Sequence, residues 1–294
     1  MNILLVVNPV SGRGKAPKLA AQFSKLARQD GHIVDVLTTQ SSRIVESQLI
    51  EAMKDRNFET VVACGGDGLV HEVIQVIQGT NITLGVIAAG TGNDFASENG
   101  NNFKKGSKLL DVISKGQTKL IDVGEISPKT ETFVQVLSTG FDSQVNRVAN
   151  GYRLKIGKIK YVIATIQIIF RFKPVSYSIT HEGRTRQLSA MLIAIANGRS
   201  YGGGMLIAPH ADRNDGQLDV LILHPVSKVE LLRVFPKVFK GRHVTHPAVE
   251  FLKVSSIKID SDSDVYADGE FICNGAIEIK CKPASLRIWS EHDN

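Results

Sequence analysis

Three short glycine-rich segments hold the residues of this chain best suited to chemistry. Asn8-Pro9-Val10-Ser11-Gly12-Arg13-Gly14-Lys15 pairs glycines with two cations. Its glycines let peptide N–H groups turn inward around an anion, and Arg13 and Lys15 add mobile positive charge. Cys64-Gly65-Gly66-Asp67-Gly68 sets one carboxylate among glycines that allow a ligand to approach the backbone. A carboxylate there is costly beside phosphates unless a cation or a sugar hydroxyl receives it. Gly90-Thr91-Gly92-Asn93-Asp94-Phe95-Ala96 repeats the design: a turn, a hydroxyl donor, a carboxylate, then a helix. Each segment alone also has a plainer reading. The first could be an ordinary strand-to-helix turn, and Asp67 could cap the helix that follows it. None has the Walker A spacing.

The elements around these segments give them a common address. Residues 2–7, 33–38, 60–64 and 84–87 are short apolar runs that read as buried strands. Between them, residues 16–29, 42–54 and 69–78 read as helices, the first with Leu19, Ala20, Phe23, Leu26 and Ala27 at three- and four-residue steps. This alternation predicts a doubly wound α/β domain with a parallel sheet. All three segments then sit at strand ends, where open α/β sheets bind ligands and helix N-termini add positive potential. From about residue 126 the texture changes. Residues 131–139, 175–180, 188–196, 218–223, 249–259, 266–268, 276–281 and 286–289 read as strands, with helices at 152–171 and 228–240. The second half is therefore expected to be a mainly antiparallel β-sandwich.

Two acidic signals lie in that half. Asp212-x-x-Asp215-Gly216 offers two carboxylates across one turn, suited to Mg²⁺ or simply to a polar Asx turn. Asp268-Gly269-Glu270 reads on its own as a hairpin turn. The stretch 152–173 carries Ile156, Ile159, Ile163, Ile166 and Phe170 amid Arg153, Lys155, Lys158, Lys160, Arg171 and Lys173. It reads as a helix packed on the sandwich with a solvated cationic edge, or as a surface that rests on anionic lipid.

The N-P-x-S-G, G-G-D-G and G-T-G-N-D-F-A motifs, in this order, resemble the diacylglycerol kinase catalytic domain. That family includes bacterial soluble diacylglycerol kinases, YegS-type lipid kinases, and sphingosine and ceramide kinases. The resemblance extends to Ile121-Asp122-Val123-Gly124, Ser138-Thr139-Gly140-Phe141-Asp142, Asn197-Gly198, Gly202-Gly203-Gly204, Pro209 to Asp219 and Asp268-Gly269-Glu270. It implies an NAD kinase/phosphofructokinase-like first domain over residues 1–125, rejoined by a returning C-terminal segment 286–294, and a lipid-substrate sandwich over 126–285. It also implies that Asn8, Pro9, Val10, Ser11, Gly12, Thr39, Gly66, Asp67, Gly68, Leu69, Val70, His71, Glu72 and Thr91 contact ATP. Asp67, Asp94 and Asp122 would organise the nucleotide's Mg²⁺. Asp212, Asp215 and the carbonyl of Gln217 would hold a second, structural Mg²⁺, and Asp268 would be the general base. Leu69 departs from the family's usual Thr, and His71 from a frequent Asn; no role is given to His71 beyond its place in the loop.

The implied activity is phosphoryl transfer from ATP to a membrane lipid hydroxyl, with diacylglycerol foremost and a sphingoid or phosphatidylglycerol-like alcohol as alternatives. A soluble NAD-kinase-like phosphotransferase is disfavoured by the N-P-x-S-G loop. A catalytically weak nucleotide or lipid sensor is suggested by Leu69. Composition bounds these readings. The 294 residues are 43% hydrophobic and 22% charged, ordinary values for a folded chain of about two domains. Lys and Arg exceed Asp and Glu by 35 to 29. That surplus is small for a nucleic-acid binder, but it suits a polyphosphate or an anionic membrane surface. Three cysteines without a CxxC pair point to a reduced, cytoplasmic setting. The N-terminus lacks a secretory pattern and no run is long enough to span a bilayer. Surface attachment stays open, and the bilayer substrate that the resemblance implies makes peripheral membrane association the expectation. A homodimer is compatible with the resemblance.

Overall fold

The computed structural model describes residues 1–39, 45–54, 56–98, 106–141 and 172–291. The chain divides into two units, Met1–Ile121 with Ala284–Asn294, and Asp122–Pro283.

In the first unit the short apolar runs become strands β1 (Asn2–Val7), β2 (Ile33–Thr38), β3 (Thr60–Gly65) and β4 (Thr83–Ala88). β3 and β4 are buried at every position, as strands covered on both faces must be. The intervening segments form α1 (Ala16–Gln29), α2 (Val45–Lys54), α3 (Asp67–Ile77), α4 (Asp94–Glu98) and α5 (Gly106–Ser114). Phe23, Ala27, Leu109 and Ile113 from α1 and α5 bury Ile3, Leu5, Val62 and Ile87 of the sheet. The alternate residues Leu4, Val6 and Val61 are buried too, so both sheet faces are covered. The strands run parallel in the order β2-β1-β3-β4, and the last residues of β16 (Ile277–Trp289) extend the sheet beyond β4. There Arg287 and Ile288 pair with Thr83 and Leu84, and the buried Trp289 indole donates to Thr60 Oγ1 at 3.2 Å.

The second unit takes in the end of β5 (Thr118–Ser127), then β6 (Glu131–Phe133), β7 (Val136–Gly140), β8 (Val175–His181), β9 (Arg184–Ala190), β10 (Leu192–Ala196) and β11 (Leu218–Leu223). A helix, α6 (Lys228–Val238), precedes β12 (Val249–Val254), β13 (Ser256–Asp260), β14 (Asp264–Ala267) and β15 (Glu270–Asn274). One antiparallel sheet runs β12-β11-β10-β7-β14-β15, and a second runs β16-β13-β8-β9 through the first residues of β16. Ile193, Ile195, Val220 and Ile222 of the first sheet meet Tyr177, Ile179, Ile257 and Ile279 of the second in one core. The opposite face of the first sheet, with Ala194, Leu221 and Leu223, is buried under Leu231 of α6.

Several strands expected as single are two. Residues 131–139 split into β6 and β7, 188–196 into β9 and β10, and 249–259 into β12 and β13. The members of all three pairs lie in different sheets. An apolar alternation that continues through such a corner looks unbroken, because each half faces the same core. Conversely, the runs 276–281 and 286–289 are one strand, β16, which passes through Pro283 and a left-handed Ala284 (φ 49°). The helix expected at 152–171 lies outside the described residues, as do all but the last two residues of the basic stretch 152–173. No helix among the described residues is long and apolar enough to cross a membrane.

Candidate active site

The three glycine-rich segments meet at the ends of β1, β3 and β4. Asn8 N donates to Cys64 O (3.2 Å), and Ala89 N and Gly90 N both donate to Gly65 O (2.8 and 3.1 Å). A side chain on Gly12, which has φ 60°, would run into the Ala89 carbonyl oxygen. One on Gly90 would come within 2.5 Å of Gly66 Cα. Only glycine allows this contact, and the loops close together because of it. Asn8 Oδ1 accepts from Val10 N (3.2 Å), and Ser11–Arg13 form a single 3-10 turn that ends on a left-handed Gly14. Thr39 is buried just past β2, with its N–H and hydroxyl both on Val7 O (2.9 and 3.3 Å).

Asp67 does not cap its own helix. It is the first residue of α3, but its carboxylate crosses to the third loop, taking Asn93 N (2.7 Å) on Oδ2 and Phe95 N (3.4 Å) on Oδ1. It therefore holds the start of α4. A methyl group placed on Gly92 would lie 2.6 Å from Asp67 Oδ2 and 3.5 Å from Asp94 Oδ2, so both carboxylates border the same small space. Burial, and then the Asp94 charge, push the Asp67 carboxyl up to about 6. Paired acids in this state are relieved by a cation. Leu69 is buried, with its Cδ2 against the position a Gly65 side chain would take, so it fills the core under β3. His71 is buried beside Gln75. Val70 is also buried, while Gly66, Gly68 and Glu72 are partly exposed and Thr91 is exposed.

The other expected residues lie in the second unit. Asp122 is buried there; its Oδ2 accepts from Gly216 N (2.8 Å) and its N–H donates to Arg213 O (2.7 Å). The structure thus ties Asp122 to the 212–217 loop. Asp212 and Asp215 each accept a peptide N–H two residues on, from Asn214 and Gln217 (both 3.0 Å). These are the Asx turns of the plainer reading. The second oxygen of Asp215 is paired with the Lys253 ammonium, which also stands 4.0 Å from Asp219. A divalent ion held by Asp212, Asp215 and Gln217 would have to displace that ammonium from Asp215. Among the described residues the side-chain cation on Asp215 is Lys253, from β12. No motif marks Lys253 in the sequence; the β11–β12 register sets it directly opposite Asp219.

Asp268 is at once a turn residue and an anchor. Asp268 (φ 50°) and Gly269 (φ 91°) make the two-residue connection between β14 and β15. Its carboxylate accepts from Val134 N (3.0 Å), Gln135 N (2.9 Å) and Val136 N (3.2 Å). Three peptide donors fix its orientation. Asn197, fully buried, links this segment to Asp122 by donating to Asp122 O (2.9 Å) and Val134 O (3.1 Å). Its role shows only once the strands are paired.

Residues 2–126 match the family model described as diacylglycerol kinase catalytic domain, and residues 135–290 match the YegS C-terminal NAD kinase beta sandwich-like domain. The chain belongs to the diacylglycerol kinase family. A Mycobacterium tuberculosis diacylglycerol kinase is 36% identical over 292 residues, covering 97% of this chain and 94% of the relative. A Bacillus subtilis diacylglycerol kinase is 26% identical over 272 residues, 91% and 89% of the two chains. The crystal structure of a diacylglycerol kinase from Bacillus anthracis superposes with a TM-score of 0.74 at 20% identity, over 99% of this chain and 97% of that one, and so shares the fold. Family membership makes this chain a lipid kinase, with an α/β domain followed by an antiparallel β domain as its architecture.

Proposed function

We propose that this family member transfers the γ-phosphoryl group of ATP to the hydroxyl of a membrane lipid, with diacylglycerol as acceptor and phosphatidic acid as product. The observation that carries the reading is the meeting of three glycine loops at one sheet end, where the partly buried Asp67 and the buried Asp94 border one space. Phosphoryl transfer needs positioning and charge neutralisation more than covalent help from the protein. N–H groups of the loops Asn8–Gly12 and Gly66–Gly68, with the exposed Thr91 hydroxyl, suit the phosphates. Thr39, Leu69, Val70, His71 and Glu72 support these loops from β2 and α3. The Asp67–Asp94 pair fits a divalent cation, because both carboxylates border one space and each raises the cost of ionising the other. Bound with the nucleotide, Mg²⁺ would neutralise charge on the phosphates there.

In this reading Asp268 takes the proton of the lipid hydroxyl as the new O–P bond forms and the bond to ADP breaks. Its three peptide donors hold the accepting oxygens in place. Asp122 keeps the 212–217 loop in register through Gly216. A labelled-ATP assay over diacylglycerol, monoacylglycerol, sphingosine, ceramide and phosphatidylglycerol tests the assignment. Mg²⁺-dependent phosphatidic acid formation is expected. ATP binding without turnover on any lipid would instead leave a nucleotide sensor.

A further inference from the structure

The helix α6 has two apolar faces, and the fold uses only one. Its Ser227 cap accepts from Glu230 N (3.2 Å), and Leu231 and Val234 are buried against the first sheet of the second unit. The outward face carries Val229 at 58% exposure, Leu232 at 38% and, just past the helix end, Phe239 at 43%. These recur at steps of three and seven, forming one stripe along the helix. Exposed in the same segment are Lys228, Arg233, Lys237, Lys240 and Arg242, and no acid between residues 228 and 242 is fully exposed. Glu230, the single acidic residue of the segment, is only partly exposed and pairs with His246 at 3.1 Å. Among the described residues Arg233, Lys237, Lys240 and Arg242 form no ion pair.

We propose that this face of α6 docks the enzyme on anionic bilayers, with Val229, Leu232 and Phe239 entering the headgroup boundary and the cations facing lipid phosphates. An exposed apolar stripe flanked by cations alone complements a surface that is negative outside and apolar beneath. A protein partner would more often meet mixed charge, and a second copy would set cation against cation. The proposal rests on the reading of the substrate as a bilayer lipid, and its test separates the two.

The full chain is sedimented with phosphatidylcholine vesicles, with and without phosphatidylglycerol, and turnover is measured separately on a short-chain diacylglycerol in monomeric solution. Native protein should bind the anionic vesicles at least about ten-fold more tightly than the neutral ones. Arg233→Glu/Lys237→Glu/Lys240→Glu should lose binding on the order of a hundred-fold, at about five-fold per cation. Leu232→Asp/Phe239→Asp should lose roughly ten-fold. Both should keep native turnover on the monomeric substrate. Should melting show either variant misfolded, Lys237→Gln/Lys240→Gln and Leu232→Ser replace it, with smaller losses expected in the same direction. Native-like vesicle binding by the variants overturns the proposal. So does a switch from dimer to monomer with vesicle binding intact, which would make the face a contact between copies. Absent turnover on the monomeric substrate, with vesicle binding and its loss as stated, refutes the kinase reading and leaves the docking surface standing.

Discussion

Burial beside Asp94 gives the Asp67 carboxyl a folded value of about 6 against an ordinary value of 3.8. The folded chain therefore keeps a proton that the unfolded chain has released between about pH 4 and pH 6. Stability contributed by this site falls as pH rises through that window. Replacing Asp67 with Asn should flatten this slope in thermal melts without divalent ions, and make the ligand-free protein more stable than native above pH 6. Binding of Mg²⁺-ATP, followed by calorimetry, should strengthen for the native chain as pH passes 6 and be lost in Asp67→Asn. For Asp268 the informative change is Asp268→Asn, since Ala would also free the Val134–Val136 backbone. A general base contributes about 10² to 10⁴ in rate. Turnover should fall by that order while ATP affinity stays within about two-fold; unchanged turnover would remove the base. The types and spacing of Asp67, Asp94 and Asp268 were legible in the sequence. Their partners were not, because Asp67 spends its hydrogen bonds across 26 positions on Asn93 and Asp268 across 133 on Gln135.

Elements decide which of these residues are glycine. Gly12 turns left-handed against the Ala89 carbonyl, so Gly12→Ala should cost about 2 kcal/mol or more in denaturant unfolding of the first unit and weaken ATP binding. The 212–217 loop offers a contrast. With Lys253 already on Asp215, the native melting temperature should barely respond to Mg²⁺ or to a chelator. Lys253→Met should melt lower and regain part of the loss on adding Mg²⁺. A native chain that gains several degrees from Mg²⁺ would show that the ammonium yields to the ion. The first four strands and first three helices of the first unit could be read almost residue for residue, as in Ala16–Gln29, because each has one period and ends at a loop; α5 was not read. Corners of the sandwich could not. Period-two alternation carries no mark where β9 gives way to β10 and the chain changes sheets.

Across the whole chain, β16 is the feature that local pattern concealed. Its thirteen residues pair with three strands: β13, antiparallel, in the second unit, β4, parallel, in the first, and β5. A chain ending after Pro283 should keep the β13 pairing but strip β4 of its neighbour on one edge, leaving β3 on the other. It is expected to lose ATP binding and to show a first unit open to proteolysis. Retention of both would show that Leu286, Ile288 and Trp289 add little to that core.

The position of that last aromatic residue has a practical consequence. The chain contains a single tryptophan, and Trp289 is buried in the first unit with its indole N–H on Thr60. Its fluorescence is thus a built-in, label-free reporter of one half of the protein. Followed beside far-ultraviolet circular dichroism, which averages both halves, it would reveal directly whether they melt as one cooperative body or in turn.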